Sequence, residues 1–382
     1  MSEWKNYCIG DLCSTISNTY NGSDDKVVLI NTSDVLDGKV LNHNFVENKN
    51  LKGQFKKTFI KNDILYSEIR PANKRFAFID FDKTNNYIVS TKLMVLRPDT
   101  TKVLPSFLFS ILKSQTVIDE LQHLAETRSG TFPQITFSSE LAPMKVLLPN
   151  LDIQAKIVSI LNSIEEKIST NTAINNNLEQ QIFTIFDNKF PNVRDGKNTI
   201  SDYFSPKRGK NLLLKNAVLG DVPVIAGGLN PATYHNVANT KAPVITISAS
   251  GANAGFVNLW HIPVWSSDSS YIDNTITSNI YFWYVMLKKR QQEIFDSQTG
   301  SAQPHIYPQH IEGMTVSDID MNLVNDFNDN VTPLFINIGE NIKENQKLIQ
   351  LCDTLLPKLM SGEIDVSEVD ISTDKLLFRK DK

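Results

Sequence analysis

The sequence predicts an α+β chain: two mixed α/β domains separated by two long antiparallel helices that form a coiled-coil spacer, related by a pseudo-twofold internal repeat. Three observations carry this prediction. Two segments 170 positions apart share one heptad pattern. Each follows a block of mixed strand, turn and helix signals, and the two blocks open and close on similar short motifs. The length of 382 residues agrees, since domains of roughly 100 to 200 residues would number two to four.

The helices are the first element to justify, because a missed repeat misplaces the whole architecture. Apolar residues fall at Ile157, Leu161, Ile164, Ile168, Leu178, Ile182 and Ile185, in alternating steps of four and three, with Asn171 and Asn175 interrupting the seam. Adding 170 lands on Phe327, Val331, Leu334, Ile338, Leu348, Cys352 and Leu355, with Asn341 and Asn345 in the two polar places. A seam of this period faces a partner helix. An Asn inside it costs stability and fixes register. Antiparallel layers match where residue numbers sum to 516: Asn171 with Asn345, Asn175 with Asn341, Ile164 with Cys352, and Ile182 with Leu334. A parallel pairing would match the Asn equally well, but the chain would have to travel a helix length, about 50 Å at 1.5 Å per residue, between residues 190 and 325. Antiparallel is the shorter route. A second stripe, Phe335, Ile342, Ile349 and Leu356, runs beside the seam at steps of seven. It has two readings, packing against its own domain or docking a partner subunit.

The repeat divides the rest: a first domain at 1–150, a long helix at 151–190, a second domain at 191–322, a second long helix at 323–362, and a tail at 363–382. In the first domain, Asp63–Tyr66, Phe76–Ile79 and Leu93–Leu96 read as strands and Leu104–Leu124 as one helical stretch after Pro105. In the second, Val244–Ser248 and Gly255–Val257 read as strands around a Gly-rich turn, and Ile280–Ile294 as helix. Ile9-Gly10-Asp11-Leu12 opens one block and Ile200-Ser201-Asp202-Tyr203 the other. Ser129-Gly130-Thr131 and Thr299-Gly300-Ser301 stand at the same distance before the two seams.

With 41% hydrophobic and 21% charged residues the chain reads as globular. No apolar run approaches the roughly 20 residues of a membrane span, and Met1–Asp11 has no secretory pattern. The expectation is a cytoplasmic protein. Cys8, Cys13 and Cys352 form no C-x-x-C pair, which leaves neither a disulfide framework nor a zinc ribbon. The net charge of −4 is uneven: +2 over 1–150, −2 over 151–195, neutral over 196–320 and −4 over 321–382. The acid sits mainly in the helical segments, so net charge alone does not exclude nucleic acid.

Catalytic motifs fail one by one. Ser248-Ala249-Ser250-Gly251 lacks the leading Gly of a nucleophile elbow. Gly251-Ala252-Asn253-Ala254-Gly255 is neither a dinucleotide fingerprint nor a P-loop and reads as a turn needing positive φ. Asn230-Pro231-Ala232 is not the Asn/Asp-Pro-Pro-aromatic sequence of aminomethyltransferases, and Asp99 with Glu165 and Lys167 is no nuclease set because the last two lie on a solvated helix face. His305 and His310 have no third metal ligand. Basic clusters are better supported: Lys52, Lys56, Lys57 and Lys61; Arg70, Lys74 and Arg75 around Pro71; and Lys207, Arg208, Lys210 and Lys215 around Gly209. Loop cations suit phosphate contacts and, for Arg, base readout.

These residues resemble the DNA specificity subunits of type I restriction-modification systems. The resemblance rests on Leu355-Leu356-Pro357-Lys358-Leu359-Met360-Ser361-Gly362-Glu363-Ile364, on Ile247–Gly255, on Asp63–Pro71 and on Pro149-x-Leu151-x-x-Gln154-x-x-Ile157. It implies two target-recognition domains, each reading half of a bipartite double-stranded DNA site, with Lys56, Lys57, Arg70, Lys74, Arg75, Arg128, Lys207, Arg208, Lys210, Lys215 and Asn253 as candidate DNA-binding residues. It also implies two methyltransferase subunits docked on the helices, with Phe335, Ile342, Ile349 and Leu356 as candidate contacts, and separate restriction/motor subunits. The chain itself would be a non-catalytic subunit with no cofactor or metal. The alternative is a coiled-coil scaffold or adaptor without DNA binding.

Overall fold

A computed structural model describes residues 4–22, 24–49, 51, 53–128, 133–300 and 303–370. The chain forms two compact units, Met1–Glu166 with Leu348–Lys382, and Lys167–Lys347. Each unit therefore contains part of both long helices.

The first unit runs β1 (Lys5–Cys8), β2 (Cys13–Ile16), β3 (Lys26–Ile30), β4 (Phe45–Glu47), β5 (Phe55–Lys57), β6 (Ile64–Ser67), β7 (Phe76–Phe78), β8 (Tyr87–Ser90) and β9 (Leu93–Pro98). Helices α1 (Pro105–Leu112) and α2 (Gln115–Arg128), strand β10 (Lys145–Leu148) and the start of helix α3 (Leu151–Lys189) follow. One antiparallel sheet has the order β2-β9-β6-β7, a second has the order β4-β3-β8-β5 with β3 and β8 parallel, and β1 pairs with β10. The period of two in β9 sorts the side chains: Met94 and Leu96 join the core under the helices, while Leu93 and Val95 join the core between the sheets. Leu93–Leu96 is buried throughout, as suits a strand covered on both faces.

The single helical stretch expected at 104–124 is two helices. Ser114 divides them, its carbonyl accepting from Ile118 N at 3.0 Å and its Oγ from Val117 N at 3.4 Å, so the second helix starts on a new cap. Gln154 in the first turn of α3 is fully buried. Its Oε1 accepts from Leu104 N at 2.8 Å, and its Nε2 donates to Lys102 O at 3.1 Å and Pro149 O at 2.9 Å. The helix start is thereby tied to the body of the unit.

The second unit repeats the plan with β11 (Asn198–Thr199), β12 (Lys207–Arg208), β13 (Val222–Ile225), β14 (Thr233–His235), β15 (Val244–Ser248), β16 (Val257–Trp260), β17 (Trp265–Ser266) and β18 (Ser269–Asp273). Helices α4 (Ile280–Lys289) and α5 (Gln291–Asp296), strand β19 (Thr315–Val316) and helix α6 (Met321–Ser361) complete the order. Its antiparallel sheet, β12-β18-β15-β16, matches the first unit's strand for strand, and β11 pairs with β19 as β1 does with β10. The stretch expected as one helix at 280–294 breaks at Arg290, a buried residue that donates to Thr315 O at 2.7 Å and pairs with Glu293. Helix α6 begins two residues before the expected 323, capped by Asp320 Oδ1 accepting from Asn322 N at 2.8 Å. Phe186, Phe190, Phe282 and Phe327 pack ring against ring in the core of this unit.

The long helices are antiparallel. In the first unit Leu355, Leu356 and Leu359 of α6 join the core that holds Ile157, Val158 and Leu161 of α3. In the second unit the residues meet in the register whose numbers sum to 516: Asn171 Nδ2 donates to Asn345 Oδ1 at 2.9 Å, and Asn341 Nδ2 donates to Asn175 Oδ1 at 2.8 Å. Asn171 is only 1% exposed. Its amide also donates to Glu344 Oε2 at 2.7 Å, and Lys167 lies 3.2 Å from the same carboxylate. These two partners, Asn171 first, hold the Glu344 carboxyl below its ordinary range. Its contribution is present above the ordinary glutamate pKa and is lost as pH falls through the lowered value.

Asn171→Leu or Asn345→Leu alone should destabilise the chain by roughly 1–3 kcal/mol, because the first takes the opposite amide from half-buried Asn345 and the second takes it from buried Asn171. The double variant should recover part of the loss, giving coupling of about 0.5–3 kcal/mol in urea denaturation, while Asn171 with Asn341 should couple less. Stronger coupling in the latter pair would contradict the register.

Candidate nucleic-acid interface

Each antiparallel sheet carries one pinned turn. In the first unit the chain leaves β6 at Ser67 and returns at Phe76, with left-handed backbone at Arg70 (φ 44°) and Lys74 (φ 51°) bracketing the short Pro71–Asn73 helix. Four backbone hydrogen bonds fix it: Ser67 N to Arg75 O at 2.9 Å, Glu68 N to Lys92 O at 3.1 Å, Arg70 N to Pro133 O at 3.2 Å, and Ile135 N to Glu68 O at 2.8 Å. In the second unit the chain leaves β15 at Ser248. The same four bonds recur: Ser248 N to Phe256 O at 3.0 Å, Ala249 N to Asp268 O at 3.1 Å, Gly251 N to Pro304 O at 3.0 Å, and Ile306 N to Ala249 O at 2.9 Å. Gly255 (φ 89°) closes this turn, where a Cβ would meet Ile294 Cγ2 at 2.8 Å. The glycine is required by close packing as well as by φ.

The candidate DNA-binding residues differ in exposure. Lys56 on β5 and Lys207, Lys210 and Lys215 are exposed. Arg70 is exposed and Lys74 half-buried, both on the first pinned turn, and Asn253 is half-buried in the second. Lys57 is committed: its Nζ donates to Thr91 O at 3.0 Å and Leu93 O at 2.8 Å, and burial pulls its ammonium below the ordinary lysine range. Arg75 turns inward and donates to Ser33 O at 3.1 Å and Val35 O at 3.3 Å. These two half-buried cations are held by carbonyls of their own unit. Arg128 pairs with Glu140 at 2.7 Å, and Arg208 with Asp268 at 2.6 Å, so both already hold a carboxylate. Lys52 lies outside the described residues, as do Ser129, Gly130 and Thr131.

The stripe on α6 also divides. Phe335 is 1% exposed and stacks on Tyr281 with centroids 4.4 Å apart, and Leu356 packs on the first unit's core. Those two pack within their own units, the first of the two readings that the sequence left open. Ile342 and Ile349 remain 41% and 49% exposed. Glu165 pairs with Lys113 and Lys167 with Glu344, and among the described residues no three His, Cys, Asp or Glu gather as metal ligands.

Sequence reasoning missed the centre of each turn. Lys92 Nζ lies 3.7 Å from Glu68 Oε2 and donates to Gln134 Oε1 at 3.5 Å. In the equivalent place Asp268 accepts from Ser250 Oγ and from Arg208. Pro133-Gln134-Ile135 beside Pro304-His305-Ile306 was the available signal, since the isolated bridges Ile69 with Gln134 and Ser250 with His305 are equivalent.

Residues 1–180 match the family described as the type I restriction modification DNA specificity domain. The Type I restriction enzyme HindI specificity subunit of Haemophilus influenzae is 40% identical over 247 residues, 63% of this chain and 53% of that protein. The match thus spans about half the length of that relative. The MjaIX specificity subunit of Methanocaldococcus jannaschii is 23% identical over 310 residues, 70% of this chain and 71% of that one. A crystal structure of a type I restriction-modification system S subunit from M. genitalium shares the fold, with a TM-score of 0.57 at 18% identity over 94% of this chain and 96% of that chain. The resemblance read from the sequence holds.

Lys57→Met should lower the stability of the chain by roughly 1–3 kcal/mol, because the Thr91 and Leu93 carbonyls lose their donor. Lys56→Ala should change stability by less than about 0.5 kcal/mol. Urea denaturation of the two variants checks this, and equal losses would contradict the different roles assigned to neighbouring lysines.

Proposed function

We propose that this chain is the DNA-reading subunit of a type I restriction-modification complex, each unit binding one half of a split duplex target. The observation that carries the reading is the duplicated turn, a backbone frame with the same four hydrogen bonds displaying different polar side chains in each unit. A rigid frame suits base readout, which needs side chains held near one geometry. Exposed Lys56, Lys207, Lys210 and Lys215 supply phosphate contacts that carry no sequence information themselves.

On this reading the chain catalyses nothing and holds no cofactor. Methyltransferase subunits, two copies in the complex, dock on the long helices, where Ile342 and Ile349 offer apolar surface, and separate restriction/motor subunits complete the assembly. Adenine methylation and cleavage belong to those partners. No described helix is long and apolar enough to cross a membrane.

The test is duplex binding by the full chain with its methyltransferase subunit across a salt series. The logarithm of affinity should fall linearly with the logarithm of salt. Lys207→Ala and Lys210→Ala should each lessen the slope by about 1 and weaken specific and random duplexes alike. Affinity without salt dependence would favour a scaffold and contradict the proposal.

A further inference from the structure

The two pinned turns share a frame but place residues of opposite charge at one equivalent position, each beside a counter-ion, Lys92 with Glu68 and Asp268 with Arg208. The residue whose carbonyl accepts from Glu68 N is Lys92, and the residue whose carbonyl accepts from Ala249 N is Asp268. A lysine ammonium has donors only, and an ionised aspartate has acceptors only. Each centre therefore dictates how its neighbours turn. Lys92 draws the Gln134 carbonyl oxygen toward itself at 3.5 Å, so the Gln134 amide NH2 points away from the ammonium. Asp268 takes the Ser250 hydroxyl proton and an Arg208 N–H, so the free lone pairs of Ser250 Oγ are what remain to offer. Lys92 is about half exposed, with Asp268 and Arg208 at 36% and 40%, so both turns are open to a ligand.

We infer that Lys92 and Asp268 are positioning residues that set the hydrogen-bonding class each turn presents to a base, a donor from Gln134 in the first unit and an acceptor from Ser250 in the second. In the major groove guanine offers O6 and N7, thymine O4 and adenine N7 as acceptors, whereas donors come only from cytosine N4 and adenine N6, so cytosine alone has no acceptor. The first unit's half-site should thus contain one position that excludes cytosine on the contacted strand. The second unit's half-site should contain one restricted to A or C. This inference rests on the reading that the units bind duplex DNA, and it adds which residues discriminate and in which sense.

The experiment is selection from a randomised duplex pool by the full chain with its methyltransferase subunit, followed by sequencing. Asp268→Asn can donate to Ser250 Oγ and free its hydroxyl proton, so at one position of one half-site cytosine should fall by tenfold or more relative to G and T. The other half-site should be unchanged. Gln134→Glu keeps a partner for Lys92 but presents only acceptors, and should move one position of the opposite half-site from excluding cytosine to A or C. Ser250→Ala should abolish the A or C preference without installing another. Variants that select the wild-type motif with uniformly weaker binding, or that alter both half-sites, would overturn the inference. A wild-type chain that selects no motif at all would overturn the proposed function itself.

Discussion

The polar layer in the helix seam is the constraint on which the rest depends. Asn171 with Asn345 and Asn175 with Asn341 form hydrogen bonds in one register only, with α3 and α6 running in opposite directions. An apolar seam tolerates a slip of one heptad, since each knob finds a similar hole. A buried amide does not, because a slip leaves donors unpaired at a cost of roughly 1–3 kcal/mol each. Direction and register in turn decide membership. The first unit holds the start of α3 and the end of α6, and the second holds the remainder. Gln154 then locks the start of α3 to its unit, and the Phe186–Phe327 ring contact does the same for the second.

Within each unit the division of labour follows burial. The antiparallel sheet, with Leu93–Leu96 of β9 and all of β15 buried, forms the floor, and the turn above it is held by bonds from three separate segments. Frame and display are thus separable. Lys92, Gln134, Ser250 and Asp268 differ between the turns while the backbone bonds are the same, and on the proposed reading that lets one fold serve two different half-sites within one chain.

Much of this was legible in the sequence, for identifiable reasons. Helical repeats are local and periodic, so the seam, its Asn pairs and the 516 register could be read directly, and β6 and β9 were visible as compact apolar runs. The kinks at Ser114 and Arg290 were not, because the apolar pattern continues across them while a cap or a buried guanidinium restarts the helix. Cations were misread for a related reason. Lys56 and Lys57 are adjacent, yet strand alternation sends one outward and the other to the Thr91 and Leu93 carbonyls, residues more than thirty positions away. Phe335 looked like a surface stripe until Tyr281 covered it. The turn centres were hidden because their equivalence lies in backbone bonds between distant segments and not in residue type, Lys92 and Asp268 being opposite in charge.

The central claim is that two copies of one unit read two halves of one target. Mapping methylated adenines in the genomic DNA of cells carrying the gene, and of cells lacking it, tests this most directly. The account predicts that loss of the gene removes methylation from one motif made of two short specified parts separated by a fixed number of unspecified bases. A single continuous motif, or a methylation pattern that does not change, would contradict it.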